Sequence, residues 1–168
     1  TDVLLRRGAK CVVAADVGYG QLAWEIQQNP KVIILDRTNI RHLTGELVGD
    51  PIDLVVADLS FISLTLVLPA LAAVSKPEAD YVLMVKPQFE VGRERLGAGG
   101  VVRDPALRKT AVIEVAESAY DVGLGTLGVT ASPLPGPAGN VEYFLWLRRG
   151  APAIDEAALD RAIEIGPQ

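Results

Sequence analysis

The chain reads as an α/β fold built on a doubly wound, mostly parallel sheet that closes on an antiparallel strand pair. Three observations lead to this. Short apolar runs that each end in a polar residue recur at 11–15 before Asp16, 32–35 before Asp36, 54–57 before Asp58 and 81–85 before Lys86; unbroken runs of this length are typical of parallel strands covered on both faces. Stretches with helical spacing lie between or after them, at 21–28, 64–74 and 105–122, and such alternation of strand and helix gives an α/β sheet. Near the end, runs at 127–132 and 141–147 are joined only by a loop containing Pro133, Pro135, Gly136 and Pro137. That link is too short for a crossover helix, so the two strands must be antiparallel.

Taken in order, Thr1 to Gly8 reads as a helix already under way at the first residue. The strand at 11–15 carries the single cysteine, Cys11, expected as a small buried thiol. The helix at 21–28 places Leu22, Ala23 and Ile26 on one face, and Trp24 is expected to pack in the core. The segment 64–74 is apolar nearly all round, as a buried helix would be. The longest helix, 105–122, has Asp104 placed as its N-cap and Pro105 at its first position. In the last strand, alternation puts Glu142 on the side of Phe144 and Trp146, expected to face inward. A short amphipathic helix at 155–165 offers Leu159, Ala162 and Ile163 for packing.

Composition narrows the function. At 168 residues with 49% hydrophobic content, one domain with a substantial core is expected. No apolar run approaches the ~20 residues of a membrane span, no secretory signal pattern opens the chain, and a cytoplasmic protein is expected. The net charge of −5 opposes strong nucleic-acid binding by this domain as a whole. One cationic cluster stands against that trend: Arg93, Arg95, Arg103, Arg108 and Lys109, around a glycine-rich loop at 97–100, form either an RNA-facing patch or a solvated surface. No metal-ligand set is expected.

Ligands of open α/β sheets bind beyond the carboxyl ends of the strands, which directs attention to Asp16, Asp36, Asp58 and Lys86. Asp16 suits the ribose hydroxyls of an adenosine-containing cofactor. Asp58 and Lys86 each follow an apolar strand, where an unpaired charge is costly, so they are expected to share a site that Glu142 joins. A buried ion network serving stability alone is the other reading of these three.

The stretches Ala15-Asp16-Val17-Gly18-Tyr19-Gly20-Gln21-Leu22, Val56-Ala57-Asp58-Leu59-Ser60-Phe61-Ile62-Ser63, Val85-Lys86-Pro87-Gln88-Phe89-Glu90 and Ser132-Pro133-Leu134-Pro135-Gly136-Pro137 resemble the TlyA family, haemolysin A proteins with an FtsJ-like methyltransferase domain. The likeness runs over essentially the whole chain. It implies a Rossmann-like methyltransferase fold, S-adenosylmethionine as cofactor, and methylation of a cytidine 2′-hydroxyl in ribosomal RNA, with ribosomal RNA or the ribosomal subunits as partners. The family's Lys-Asp-Lys-Glu tetrad maps onto Asp58, Lys86 and Glu142, with the first lysine expected upstream of Thr1. Cofactor contacts fall on Asp16, Val17, Tyr19, Thr38, Asn39 and Asp58, and RNA contacts on Arg93, Arg95, Arg103 and Asn140. Most of the cofactor's glycine loop, the first strand and an S4-like RNA-binding domain are likewise expected upstream. That first strand would lie between the strands ending at Asp16 and Asp58, so two open edges are expected there, and the chain as written is expected to be inactive alone.

Proton removal from a ribose hydroxyl needs a base beside the reacting oxygen, and Lys86 is the candidate; a neighbouring cation such as the family's first lysine favours the neutral amine a lysine needs for that role. Three alternatives remain at this point, one of them a non-catalytic RNA-binding fragment, which the net charge of −5 disfavours. A nicotinamide-dependent oxidoreductase would also use Asp16, although His42, the only histidine, reads as a surface residue. A membrane-acting haemolysin would need a helix with strong apolar and basic faces, and none stands out.

Overall fold

The structure, a computed structural model, describes residues 1–167; the side chains of Arg93 and Ala98 lie outside the described set. In chain order the elements are α1 (Asp2–Arg6), β1 (Val12–Ala15), α2 (Trp24–Gln27), β2 (Val32–Leu35), α3 (Gly45–Val48), β3 (Ile52–Ala57), α4 (Leu68–Ala73), β4 (Ser75–Val85), α5 (Pro87–Glu90), α6 (Pro105–Asp121), β5 (Leu124–Ala131), β6 (Tyr143–Arg149) and α7 (Glu156–Ile165). Among the described residues the strands form two groups: β1 and β2 pair in parallel, and β3-β4-β6-β5 form a second sheet. Within the second sheet β3 and β4 are parallel, while β6 runs antiparallel to both β4 and β5. The closing antiparallel pair therefore lies where the short proline-rich link requires it.

No ladder joins β1 to β3. Both are edges, at the two positions where open edges were expected, and residues Val12 to Ala15 and Val56 to Asp58 line one cavity between them. This overturns the expectation that every apolar run is covered on both faces. Val56 is 51% exposed, and no residue of β1 is fully buried, because their inner edges face the cavity and not a neighbouring strand.

The core lies on one face of the larger sheet. Tyr81, Leu83 and Val85 of β4 and Tyr143, Leu145 and Leu147 of β6 point to the same side, where Val112, Val115 and Ala119 of α6 and Leu159 of α7 meet them. Phe144 and Trp146 therefore occupy the more open face, contrary to the inward placement read from alternation; Trp146 donates from Nε1 to Asp80 at 2.8 Å at that surface. Helix α6 begins as its sequence dictates: the Asp104 side chain accepts from the Ala106 N–H at 2.9 Å, and Pro105 supplies the fixed first φ. Helix α7 is capped in the same way by Asp155 and buries Leu159 and Ala162.

Other expectations near the first sheet fail for local reasons. The helix read at 21–28 shrinks to α2, because Ala23 is extended and the Gln27 side chain caps back onto the Leu22 carbonyl at 2.6 Å. Trp24 is 71% exposed and Cys11 is exposed, against the expected burial of both. Among the described residues no helix is long and apolar enough to cross a membrane, and no group of three or more metal-ligating side chains converges.

Candidate functional site

Strands β3 and β4 are parallel neighbours, so their carboxyl ends deliver Asp58 and Lys86 side by side. The Lys86 ammonium lies 2.6 Å from Asp58 Oδ1 and 3.9 Å from Glu142 Oε1, and its Nζ reaches Ser60 Oγ at 3.4 Å. Glu142 stands just before β6, brought to the same edge by the pairing of Tyr143 with Val85. The lysine side chain is 13% exposed, that of Glu142 7%, and that of Asp58 67%. The three charges thus form a graded site: a sheltered carboxylate behind, an amine at the centre and a solvent-facing carboxylate in front. Gln88 Nε2 donates to Glu142 Oε1 at 3.2 Å, fixing the inner acid from a second direction. Gly136 is required beside it, because a Cβ there would fall 2.8 Å from Glu142 Oε1.

Next to this triad the cavity between the two sheets has a volume of about 420 Å³, within the range of small-molecule sites. Asp16, Asp36 and Asp58 contribute acids to its lining, and Leu22, Val13 and Ala57 contribute apolar wall. The loop after β1 is built by its own acids. Asp16 Oδ1 accepts from Gly18 N–H at 2.7 Å and Asp36 Oδ2 from Gly20 N–H at 3.0 Å, while Thr38 N–H donates to the Asp16 carbonyl at 2.9 Å. Arg37 lies over the Tyr19 ring, 4.6 Å from its centroid, a cation–π contact.

The residues singled out as cofactor contacts separate accordingly. Asp16 and Asp58 line the cavity; Val17 and Tyr19 are exposed on the loop above; Thr38 braces the Asp16 backbone; Asn39 spends its side-chain oxygen on the Arg41 N–H at 3.0 Å. Asp36, left outside that set in the sequence reading, lines the cavity as well.

The cationic cluster is only partly assembled. Arg108 is buried and donates from Nε to the Val102 carbonyl at 2.9 Å, and Lys109 is held by Asp160 at 2.6 Å and Glu156 at 3.3 Å on α7. Both serve the fold, because the third and fourth residues after Pro105 at the start of α6 turn toward the loop and α7. Arg95 and Arg103 are exposed, Arg95 beside Glu94 at 3.8 Å, and the Arg93 side chain lies outside the described residues. Asn140, expected at the RNA, is buried: its Oδ1 accepts from Val102 N–H at 2.9 Å and its Nδ2 donates to the Gly100 carbonyl at 3.1 Å. It anchors the glycine-rich loop 97–100 to the approach of β6.

Phe61, Ser60 and Gln88 escaped the sequence reading, which weighed charges and passed over neutral side chains inside the same motifs. Phe61 is 91% exposed, adopts a φ of 63°, and stands between Asp58 and the tilted ring of Phe89, 5.1 Å away between centroids. A largely exposed aromatic in the left-handed region is uncommon.

A sheet of this topology, with acids at consecutive strand ends and a lysine between two carboxylates at its carboxyl edge, defines the class as a Rossmann-like methyltransferase domain. The comparisons agree: the FtsJ-like methyltransferase family model matches residues 1–149, and the chain belongs to that family. The nicotinamide alternative gives way to it. The chain is 57% identical over 173 aligned positions to the 16S/23S rRNA (cytidine-2′-O)-methyltransferase TlyA of Mycobacterium tuberculosis, covering 99% of this chain and 64% of that protein. A solved chain from Streptococcus thermophilus with a provisional hemolysin name superimposes with a TM-score of 0.91 at 35% identity, over 97% of this chain and 60% of the other. One from Listeria monocytogenes, provisionally named an S-adenosylmethionine-dependent methyltransferase, has a TM-score of 0.63 at 13% identity, over 88% and 84% of the two chains, a likeness of fold alone. The chain thus spans less than two thirds of the length of the curated relatives it matches.

Proposed function

We propose that this domain methylates the 2′-hydroxyl of a cytidine in ribosomal RNA with S-adenosylmethionine as donor. The observation that carries the reading is the Lys86 amine, held 2.6 Å from Asp58 beside the acid-lined cavity. Its support from outside the structure is the relative named for that reaction. The donor set at the carboxyl end of the cavity fits the cofactor: Asp16 keeps Oδ2 available for ribose hydroxyls while Oδ1 closes the loop turn, and Leu22 adds apolar wall beside it. When bound, the cofactor supplies a methyl group on a positively charged sulfur. The chain's own residues do the rest. Lys86, in its neutral amine form, which a further cation beside it favours, receives the 2′-hydroxyl and takes its proton as the methyl carbon bonds to that oxygen and its bond to sulfur breaks; Asp58 and Glu142 hold the lysine in place from two sides, and Phe61 offers its face to a base of the unstacked RNA strand. Arg95 and Arg103 lie on the RNA side, with Asn140 positioning the loop that carries them. Ribosomal RNA as partner implies work in the cytoplasm.

The same reading gives the cavity a second role. Two parallel edges with facing unpaired backbone groups suit one inserted parallel strand, followed by a glycine-rich turn over the cofactor. We assign both to chain upstream of Thr1, together with the first lysine of the tetrad and a separate RNA-binding domain; the greater length of the curated relative supports this. Calorimetric titration of S-adenosylmethionine into the chain, and into a version extended upstream, tests the assignment. Binding confined to the extended version supports it, and equal binding to both removes the need for the upstream turn. In the version that transfers methyl to ribosomal RNA, Lys86→Met is expected to lower the rate at least about 100-fold with donor affinity retained. Unchanged transfer would sink the role given to Lys86.

A further inference from the structure

Glu90 is a half-buried acid that the site described above does not use. It ends α5, four residues after Lys86, and its carboxylate grips the loop that follows Asp58: Ser63 Oγ donates to Oε2 at 2.5 Å and Leu64 N–H to Oε1 at 3.0 Å. One residue before it, Phe89 packs on Phe61. Ser63 is further engaged by Thr65, whose N–H donates to the Ser63 oxygen at 3.1 Å. Two adjacent residues of α5 therefore fasten two nearby points of the Asp58 loop. Beside that fastening, the loop is registered against the segment carrying Lys86 by Asp58, the Ser60 hydroxyl and the packing of Leu59 and Ile62 on the core.

We propose that Glu90 is a positioning residue that latches the Asp58–Ser63 loop onto α5, and thereby sets both the Lys86–Asp58 pairing and the orientation of the Phe61 ring. This rests on the methyl-transfer reading for its kinetic consequence, but its geometry can be read without activity. Burial without a full complement of charged partners is a cost the fold bears at this position: desolvation pushes the Glu90 carboxyl above the usual glutamate range, against the hydrogen bonds from Ser63 and Leu64, with Glu114 of α6 adding like charge. A side chain chosen only for packing would be neutral.

The chain has three phenylalanines, Phe61, Phe89 and Phe144, and Phe144 sits on β6 away from the latch. Fluorine NMR of fluorophenylalanine-labelled protein therefore reads the latch with an internal control. Glu90→Ala is expected to move the Phe61 and Phe89 resonances and leave Phe144 in place, while Glu90→Gln, which keeps an acceptor for Leu64 and a polar partner for Ser63, restores them. Ser63→Ala, which leaves α5 intact, repeats the effect from the other side should Glu90→Ala fold poorly. In methyl-transfer assays Glu90→Ala is expected to lower kcat by about 10- to 100-fold, as for a reacting group displaced by about an ångström, with donor affinity unchanged. Resonances of Phe61 and Phe89 unmoved in both Glu90→Ala and Ser63→Ala overturn the latch, as does a kcat equal to wild type. Moved resonances together with no methyl transfer by the upstream-extended wild type support the latch and overturn the methyl-transfer reading instead.

Discussion

Buried acids are where this protein is most sensitive to single atoms. Glu90 carries a worked consequence for pH. Its folded pKa lies above the ordinary glutamate value because burial outweighs the hydrogen bonds it accepts, and a carboxyl raised on folding contributes stability that is fully present below the unfolded pKa and is lost as pH rises through the folded one. Glu90→Gln, permanently neutral, is thus expected to be more stable than wild type at neutral pH, the two melting temperatures converging in acid; a wild type that gains on the variant as pH rises would contradict this. Asp80 behaves oppositely. Hydrogen bonds from Arg148 and then Trp146 hold its carboxyl below the usual range, so its contribution is present at neutral pH and disappears only in strong acid, and its exposure keeps that contribution small. At this scale the sequence was partly legible. Asp58, Lys86 and Glu142 were found because charges that terminate apolar runs are conspicuous, whereas Phe61, Gln88 and Glu90 were not, since an exposed ring, an amide and a loop clamp declare themselves only through distances across more than 25 residues of chain.

Elements were legible where local chemistry dominates. Asp104-Pro105 starts α6 and Asp155 starts α7 as capping rules require, and the proline-rich link fixed the sense of the last strand pair. What sequence could not convey is the close passage of distant backbone. Gly125 illustrates it: Thr126 N–H donates to the Pro152 carbonyl at 2.7 Å, and a Cβ on Gly125 would fall 1.8 Å from the Ala151 carbonyl oxygen. The segment after β6 lies directly on β5 there. Gly125→Ala is expected to cost about 3–5 kcal/mol, at the upper end for one substitution, read from the denaturant midpoint. Gly128→Ala, in the same strand, meets only the edge of the Trp146 ring at 3.9 Å and is expected to cost under about 1 kcal/mol. Equal costs would show that the crossing is not as close as described. The reading of 21–28 as one helix failed because Ala23 is extended and only Trp24–Gln27 is helical, with Leu22 and Ile26 partly buried.

At the scale of the whole molecule the two groups of strands matter more than any one element. The inner edges of β1 and β3 present backbone to a shared cavity, and exposed edges invite pairing with other chains. The isolated chain is therefore expected to self-associate with rising concentration, and Leu54→Lys, a charge on the β3 edge, to reduce that association in sedimentation or light scattering; a wild type that stays monomeric at high concentration would count against it. Asp16, the proposed hold on the donor, belongs to the smaller sheet, and the Lys86–Asp58 pair belongs to the larger one. The distance between these two groups is thus set by how far apart the two sheets stand, and the aliphatic residues along the gap, Val13, Ala15 and Val56, are its spacers.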